Sequence, residues 1–179
     1  MISLVLTAVG PDRPGLVSAM ADVAIAHGAN WADSRMAHLA GQFAGIAHLQ
    51  VPQERAEALV AALRRLDAIG LRVDVVQGTP GAAAGRSVVL ELVGQDRPGI
   101  VREIARTLAA RSISIDELDT RLESGSFSGE ALFRAQARLR VSDRVPTAEL
   151  RASLEALAND LMVDVTLDEA DGTPAPPRG

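Results

Sequence analysis

An eight-residue motif occurs twice in the chain. Gly10-Pro11-Asp12-Arg13-Pro14-Gly15-Leu16-Val17 returns as Gly94-Gln95-Asp96-Arg97-Pro98-Gly99-Ile100-Val101, an offset of 94 − 10 = 84 residues. Two copies this far apart point to a duplicated domain rather than a solenoid of short repeats. The 179 residues accommodate two small domains.

The flanking residues can be read in parallel. Each copy opens with an alternating strand, Ile2 to Val9 and Ser87 to Val93. Leu4, Leu6 and Ala8 match Val88, Leu90 and Leu92 on one face. The motif follows, then a helix whose apolar stripe is Leu16, Val17, Met20, Ala21 and Ala24 in one copy. Ile100, Val101, Ile104, Ala105 and Leu108 form the stripe in the other. Pro14 and Pro98 fit the first helical turn, and Asp12 and Asp96 are candidate caps. Gly28 suits a left-handed helix end; Ser112 stands there in copy two, so that end is expected to differ.

A hairpin comes next: Trp31 to Leu39, a turn around Gly41, and Phe43 to Val51. Its counterpart is Ile115 to Leu122, a Ser/Gly loop through Gly129, and Ala131 to Val141. A second helix follows, in which Leu59, Leu63 and Leu66 match Leu150, Leu154 and Leu157 of the other copy. A last strand, Leu71 to Gln77 or Met162 to Asp168, has Val73-Asp74-Val75 echoed by Val163-Asp164-Val165. Each copy thus reads βαββαβ. The expected fold class is α+β: two tandem ferredoxin-like domains, antiparallel sheets with the helices on one face. The expected domains are residues 1–77 and 86–168. The Gly-rich stretch 78–85 reads as a linker, and the acidic, Pro-rich 169–179 as a disordered tail.

Composition excludes several classes of function. There is no Cys, so disulfides, thiolate nucleophiles and Cys-based zinc sites are absent. A net charge of −5 disfavours a nucleic-acid surface. No stretch of about 20 apolar residues is available to cross a membrane, and the first ten residues read as a strand rather than a signal peptide. A cytoplasmic location is expected. No G-x-S-x-G, Walker A or H-E-x-x-H motif is present, so an enzyme is not expected, and neither is a cofactor. His27, His38 and His48 lack a supporting cluster of carboxylates. They read as surface or sheet-face residues, with no metal site expected, although His38 and His48 could face each other across the hairpin. Trp31 is expected at the exposed sheet face or at an interface.

The loop has a chemistry of its own. Glycines let backbone approach a ligand, and a helix N-terminus favours a carboxylate. Asn30 or Asp12 could hold an ammonium group. Each residue also has a plainer reading. Gly15 and Gly99 could serve close helix packing, Asp12 and Asp96 could cap, Arg13 and Arg97 could be solvated or locally paired, and Asn30 could serve a turn.

The strand, the G-x-D-R-P-G-[LI]-V loop and the helix are followed by Ala29-Asn30-Trp31-Ala32-Asp33 or Ile113-Ser114-Ile115-Asp116-Glu117. Together they resemble the ACT domain, in both copies. Two copies without a catalytic domain resemble the glycine cleavage system transcriptional repressor group. The resemblance implies a non-enzymatic regulator that binds an amino acid such as glycine. It would control amino-acid metabolism genes through a DNA-binding protein partner, without touching nucleic acid itself, and would be a homodimer. It also implies one ligand site at Asp12, Arg13, Gly15, Leu16 and Asn30, and another at Asp96, Arg97, Gly99, Ile100 and Ser114, at domain–domain interfaces. The alternative is a ligand-independent oligomerisation or protein-interaction module built on open sheet edges.

Overall fold

The computed structural model describes residues 1–79, 85–124 and 131–169. The Ser/Gly loop, most of the linker and the tail read from the sequence lie outside these residues. The chain divides into two compact units, Met1–Ala82 and Ala83–Gly179. In the first, β1 (Ile2–Pro11) leads to α1 (Leu16–Ala26), β2 (Asn30–Leu39), β3 (Gln42–Val51), α2 (Ala56–Arg64) and β4 (Arg72–Gln77). The second repeats the order as β5 (Arg86–Gln95), α3 (Ile100–Ala109), β6 (Ser114–Ser124), β7 (Ala131–Val141), α4 (Thr147–Leu161) and β8 (Val163–Glu169). The sheets run β2-β3-β1-β4 and β6-β7-β5-β8, antiparallel throughout. Both are tandem ferredoxin-like βαββαβ folds.

Each unit buries its own aliphatic core. In the first, Leu4, Leu6 and Ala8 of β1 meet Leu16, Met20 and Ala24 of α1 and Leu59 and Leu63 of α2. In the second, Val88, Leu90 and Leu92 meet Ile100, Ile104 and Leu108, with Leu150 and Leu154 of α4. Alternation within β1 and β5 sends one side to the helices and leaves the other open, which the sequence pattern anticipates. Trp31 differs from expectation. It is half-buried and packs against the first core, because its backbone partner Leu49 lies on the helix side.

Three local details also depart from the sequence reading. Both first helices begin after a glycine in the left-handed region, Gly15 and Gly99, each at φ 94°. Among the described residues, no side chain caps either helix. Asp12 and Asp96 are therefore not caps, and Pro14 and Pro98 sit just outside the helix. The physical reason is that a positive φ, cheap only for glycine, fixes the first turn through the backbone. Secondly, Ser112 does not change the helix end. It adopts φ 55° where Gly28 has φ 68°. The same bonds close both ends: the Ala29 amide to the Ala24 carbonyl at 2.9 Å and the Ile113 amide to the Leu108 carbonyl at 3.1 Å. Thirdly, the last strands align two residues away from the sequence echo. Ala8 pairs with Val73, and its counterpart Leu92 with Val165, so Val73-Asp74-Val75 corresponds to Val165-Thr166-Leu167. A slip of two keeps every side chain on its face, so alternation alone cannot detect it.

Gly10 and Gly94 have a packing role. A Cβ on Gly10 would lie 2.3 Å from the Gly70 carbonyl oxygen, and one on Gly94 would lie 2.3 Å from Val163 Cγ1. The motif's first glycine therefore lets the end of the central strand pass close to the approach to the last one.

Candidate functional site

The motif loop joins the C-terminal end of the central strand to a helix N-terminus. At Gly15 and Gly99 a Cβ would meet nothing closer than 4.0 Å. These glycines do not serve close helix packing. Their backbone angle is required, and the space over them is open. Among the described residues no side chain accepts from the first amides of α1 or α3, so each loop presents the positive end of a helix dipole, although the Ile100 amide donates to the Arg97 carbonyl at 3.4 Å. Leu16 and Ile100 are buried and anchor the first turns in the cores.

The charged groups around the two loops differ. Arg97 donates to Glu103, Nη2 to Oε2 at 2.6 Å and Nη1 to Oε1 at 3.4 Å. The position matching Glu103 in the first domain, at the same 84-residue offset, is Ala19. Arg13 is exposed and has no hydrogen bond or ion pair among the described residues. Asp12 lies 3.8 Å from His38, Oδ2 to Nε2. Its amide donates to the Gly41 carbonyl at 3.0 Å, as the Asp96 amide does to Ala131. In the second domain, Asp96, Arg97, Gly99 and Ile100 line a cleft of about 350 Å³ with Thr120, Arg121 and Phe133.

Asn30 and Ser114 do not join these groups within their own domains. Asn30 pairs with Gln50, and Gln50 with Ser3. Gly10 lies seven residues further along the same strand, about 24 Å away at ~3.4 Å per residue. Ser114 pairs with Arg140 and that with Ser87, the same displacement from Gly94. The strand end that does adjoin each loop carries His38 in one domain and Thr120 and Arg121 in the other. Sequence reasoning missed these residues. Counting back from the hairpin turn would have found them, because antiparallel neighbours of equal length bring the far end of β2 beside the far end of β1.

The histidines are dispersed. His48 Nε2 is 3.1 Å from Ser3 Oγ, His27 Nδ1 is 2.8 Å from the Val23 carbonyl, and His38 pairs with Phe43 rather than with His48. Among the described residues, no group of three or more His, Asp or Glu is placed to hold a metal ion. No described helix is long and apolar enough to cross a membrane.

Comparison with known proteins agrees with this architecture. Residues 3–76 match the sequence profile of the ACT domain. The chain is similar to the crystal structure of an unknown protein from Galdieria sulphuraria, at 28% identity over 94% of this chain and 98% of that one, with a TM-score of 0.80. It also shares its fold with a protein assigned as a glycine cleavage system transcriptional repressor, at 22% identity over 93% and 96% of the two chains, with a TM-score of 0.71. No curated protein sequence matches the chain.

Proposed function

We propose that this tandem ACT-domain protein is a non-enzymatic cytoplasmic regulator that binds a small amino acid, such as glycine, at its motif loops. It would pass the signal to genes of amino-acid metabolism through a DNA-binding protein partner. The observation that carries this reading is the first loop. The N-terminal end of α1, Asp12 and Arg13, which has no hydrogen bond or ion pair among the described residues, belong to one short loop, with open space over Gly15. A ligand carboxylate would take the amides and the guanidinium. The Asp12 carboxylate would take the ammonium. An amino acid carries both charges a few ångströms apart, and one short loop supplies a partner for each.

The binding set we favour is Asp12, Arg13, Gly15 and Leu16 at the first loop. The second-loop set is Asp96, Arg97, Gly99 and Ile100, weakened by the carboxylate already on Arg97. Asn30 and Ser114, at the other strand ends, stand outside the set of their own domain's loop. Binding by itself regulates nothing; the ligand must prefer one of two states, and its effect is bounded by that preference.

Thermal melting against the twenty amino acids tests the reading. A ligand at 100 Kd adds about 2.7 kcal/mol to the folded state. A shift with one amino acid that disappears in Arg13→Ala is the expected result. No shift with any amino acid would leave the ligand-independent interaction module as the better reading.

A further inference from the structure

The two sheets share one topology and one register but differ on the face turned away from the helices. Three adjacent rows of side chains cross that face. In the first sheet six of these positions are apolar: Val5, Val9, Ala37, Ala44, Ile46 and Val76. In the second only Val89 and Val93 are. Ile46 is 45% exposed and Val76 63%. The second sheet instead carries a ladder of ion pairs, including Arg138–Glu117 at 3.4 Å and Arg134–Glu123 at 3.3 Å. That face is satisfied in water. Alternation normally sends polar residues to an open face, and in these three rows on the two central strands of the first sheet only Thr7 and His48 are polar. A depression of about 480 Å³ lies over Thr7, Ala44 and Ile46, with Arg35, Arg72 and Asp74 also lining it.

The charges on the first sheet indicate what covers it. Its middle row reads Arg35, Ile46, Thr7, Asp74 from the β2 edge to the β4 edge. Consider a second copy placed face to face. A two-fold axis along the strands sets Arg35 over the partner's Asp74 at one edge and reverses the pair at the other, with Ile46 over Thr7 between them. A two-fold axis across the strands sets Arg35 over Arg35 and Asp74 over Asp74. Both keep the strands aligned, as packed sheets prefer, but only the first sets opposite charges over each other in the middle row; Asp33 and Arg72 of the flanking rows meet apolar residues under either axis. Arg35 already bonds Asp33 at 2.8 Å, an exposed contact it can exchange. The matching row of the second sheet, Asp119, Gln136, Glu91, Thr166, contains no cation to exchange.

We infer that the open face of the first sheet binds a second copy of this chain through a two-fold axis along its strands. Four strands at ~4.8 Å spacing and ~30 Å length present about 600 Å² before side-chain relief. That approaches the ~800 Å² each partner buries in a standard interface.

Sedimentation equilibrium of the whole protein tests this. The wild type should sediment at twice its 18.7 kDa. Arg35→Asp or Asp74→Arg alone should weaken the dimer at least ~10-fold, since each sets like charges face to face. Combining the two should restore it, because the pair is only exchanged. Asp119→Arg on the other sheet should change nothing. A second readout uses the absence of Cys. The axis sets the two position-46 side chains one strand apart on facing sheets, too far for a direct disulfide, so Ile46→Cys should take a short bifunctional thiol crosslinker and Gln136→Cys should not. A monomeric wild type, singles that still associate, a double variant that stays dissociated, or a dimer that Asp119→Arg breaks would each overturn the assignment.

Discussion

Replacing Ala19 with Glu converts the first loop's charge arrangement into the second's. Ala19 and Glu103 occupy equivalent places, since the Ala19 amide bonds the Gly15 carbonyl at 2.9 Å and the Glu103 amide bonds Gly99 at 3.0 Å. A carboxylate at position 19 should therefore reach Arg13 as Glu103 reaches Arg97. That pair is more than a third exposed on both sides, so its own contribution to stability is at most about 1 kcal/mol. The larger effect falls on the ligand. A new negative charge about 6 Å from the ligand carboxylate, at an effective dielectric constant near 40, costs binding about 1.4 kcal/mol. That is tenfold in Kd. A ligand supplied at 100 Kd of the wild type would sit at 10 Kd of the variant. Its stabilisation falls from about 2.7 to about 1.4 kcal/mol, so the ligand-induced rise in melting temperature should roughly halve. The comparison is between shifts, so any change in the unliganded melting point cancels. Glu103→Ala should do the reverse and strengthen binding at the second loop. If Ala19→Glu leaves the ligand-induced shift intact in a folded protein, the first loop is not the site.

Gly10→Ala forces a methyl against the Gly70 carbonyl oxygen and should cost about 3 kcal/mol, read as an earlier urea transition. Gly15→Ala meets open space and should cost only about 1 kcal/mol through its backbone angle. Gly15→Asn should cost less than Gly15→Ala. Ser112→Gly should raise stability by up to about 1 kcal/mol by relieving a left-handed Ser; a lower melting point would contradict the shared helix end. The hydrogen bond from Arg121 holds the Glu123 carboxyl below its ordinary 4.5, aided by Arg134 against some desolvation. An NMR titration should find that midpoint low, and Arg121→Ala should raise it. Because the folded value is depressed, the small stabilisation is present above the unfolded pKa and fades as pH falls through the folded one.

Much of this molecule is legible in its sequence. The doubled motif, the alternation of β1 and β5 and the stripes of α1 and α3 each follow from local periodicity, and these fix the order of elements. What was not legible shares one cause: what a residue meets across space is not written beside it. Asp12 has the chemistry of a cap, yet the backbone of Gly15 had already set the helix start. Asn30 opens the strand next to the loop in sequence, but pairing sends it to the far end of the sheet. The Val-Asp-Val echo between the last strands is shifted by two, invisible to a pattern of period two. Arg13 and Arg97 are identical in the motif, and only a residue outside it, Ala19 or Glu103, makes them different.

Both second strands contain an irregularity at the same place, between Trp31 and Asp33 and between Ile115 and Glu117. One extra residue shifts the phase of the strand. Before it the odd-numbered residue, Trp31 or Ile115, points to the helices; after it the even-numbered Ser34 or Leu118 does. A saturation scan of either strand should therefore show two interleaved patterns of tolerance that swap parity at residue 32 or 116. A deletion of that one residue should be far more damaging than any substitution of it, because it would turn the rest of the strand inside out.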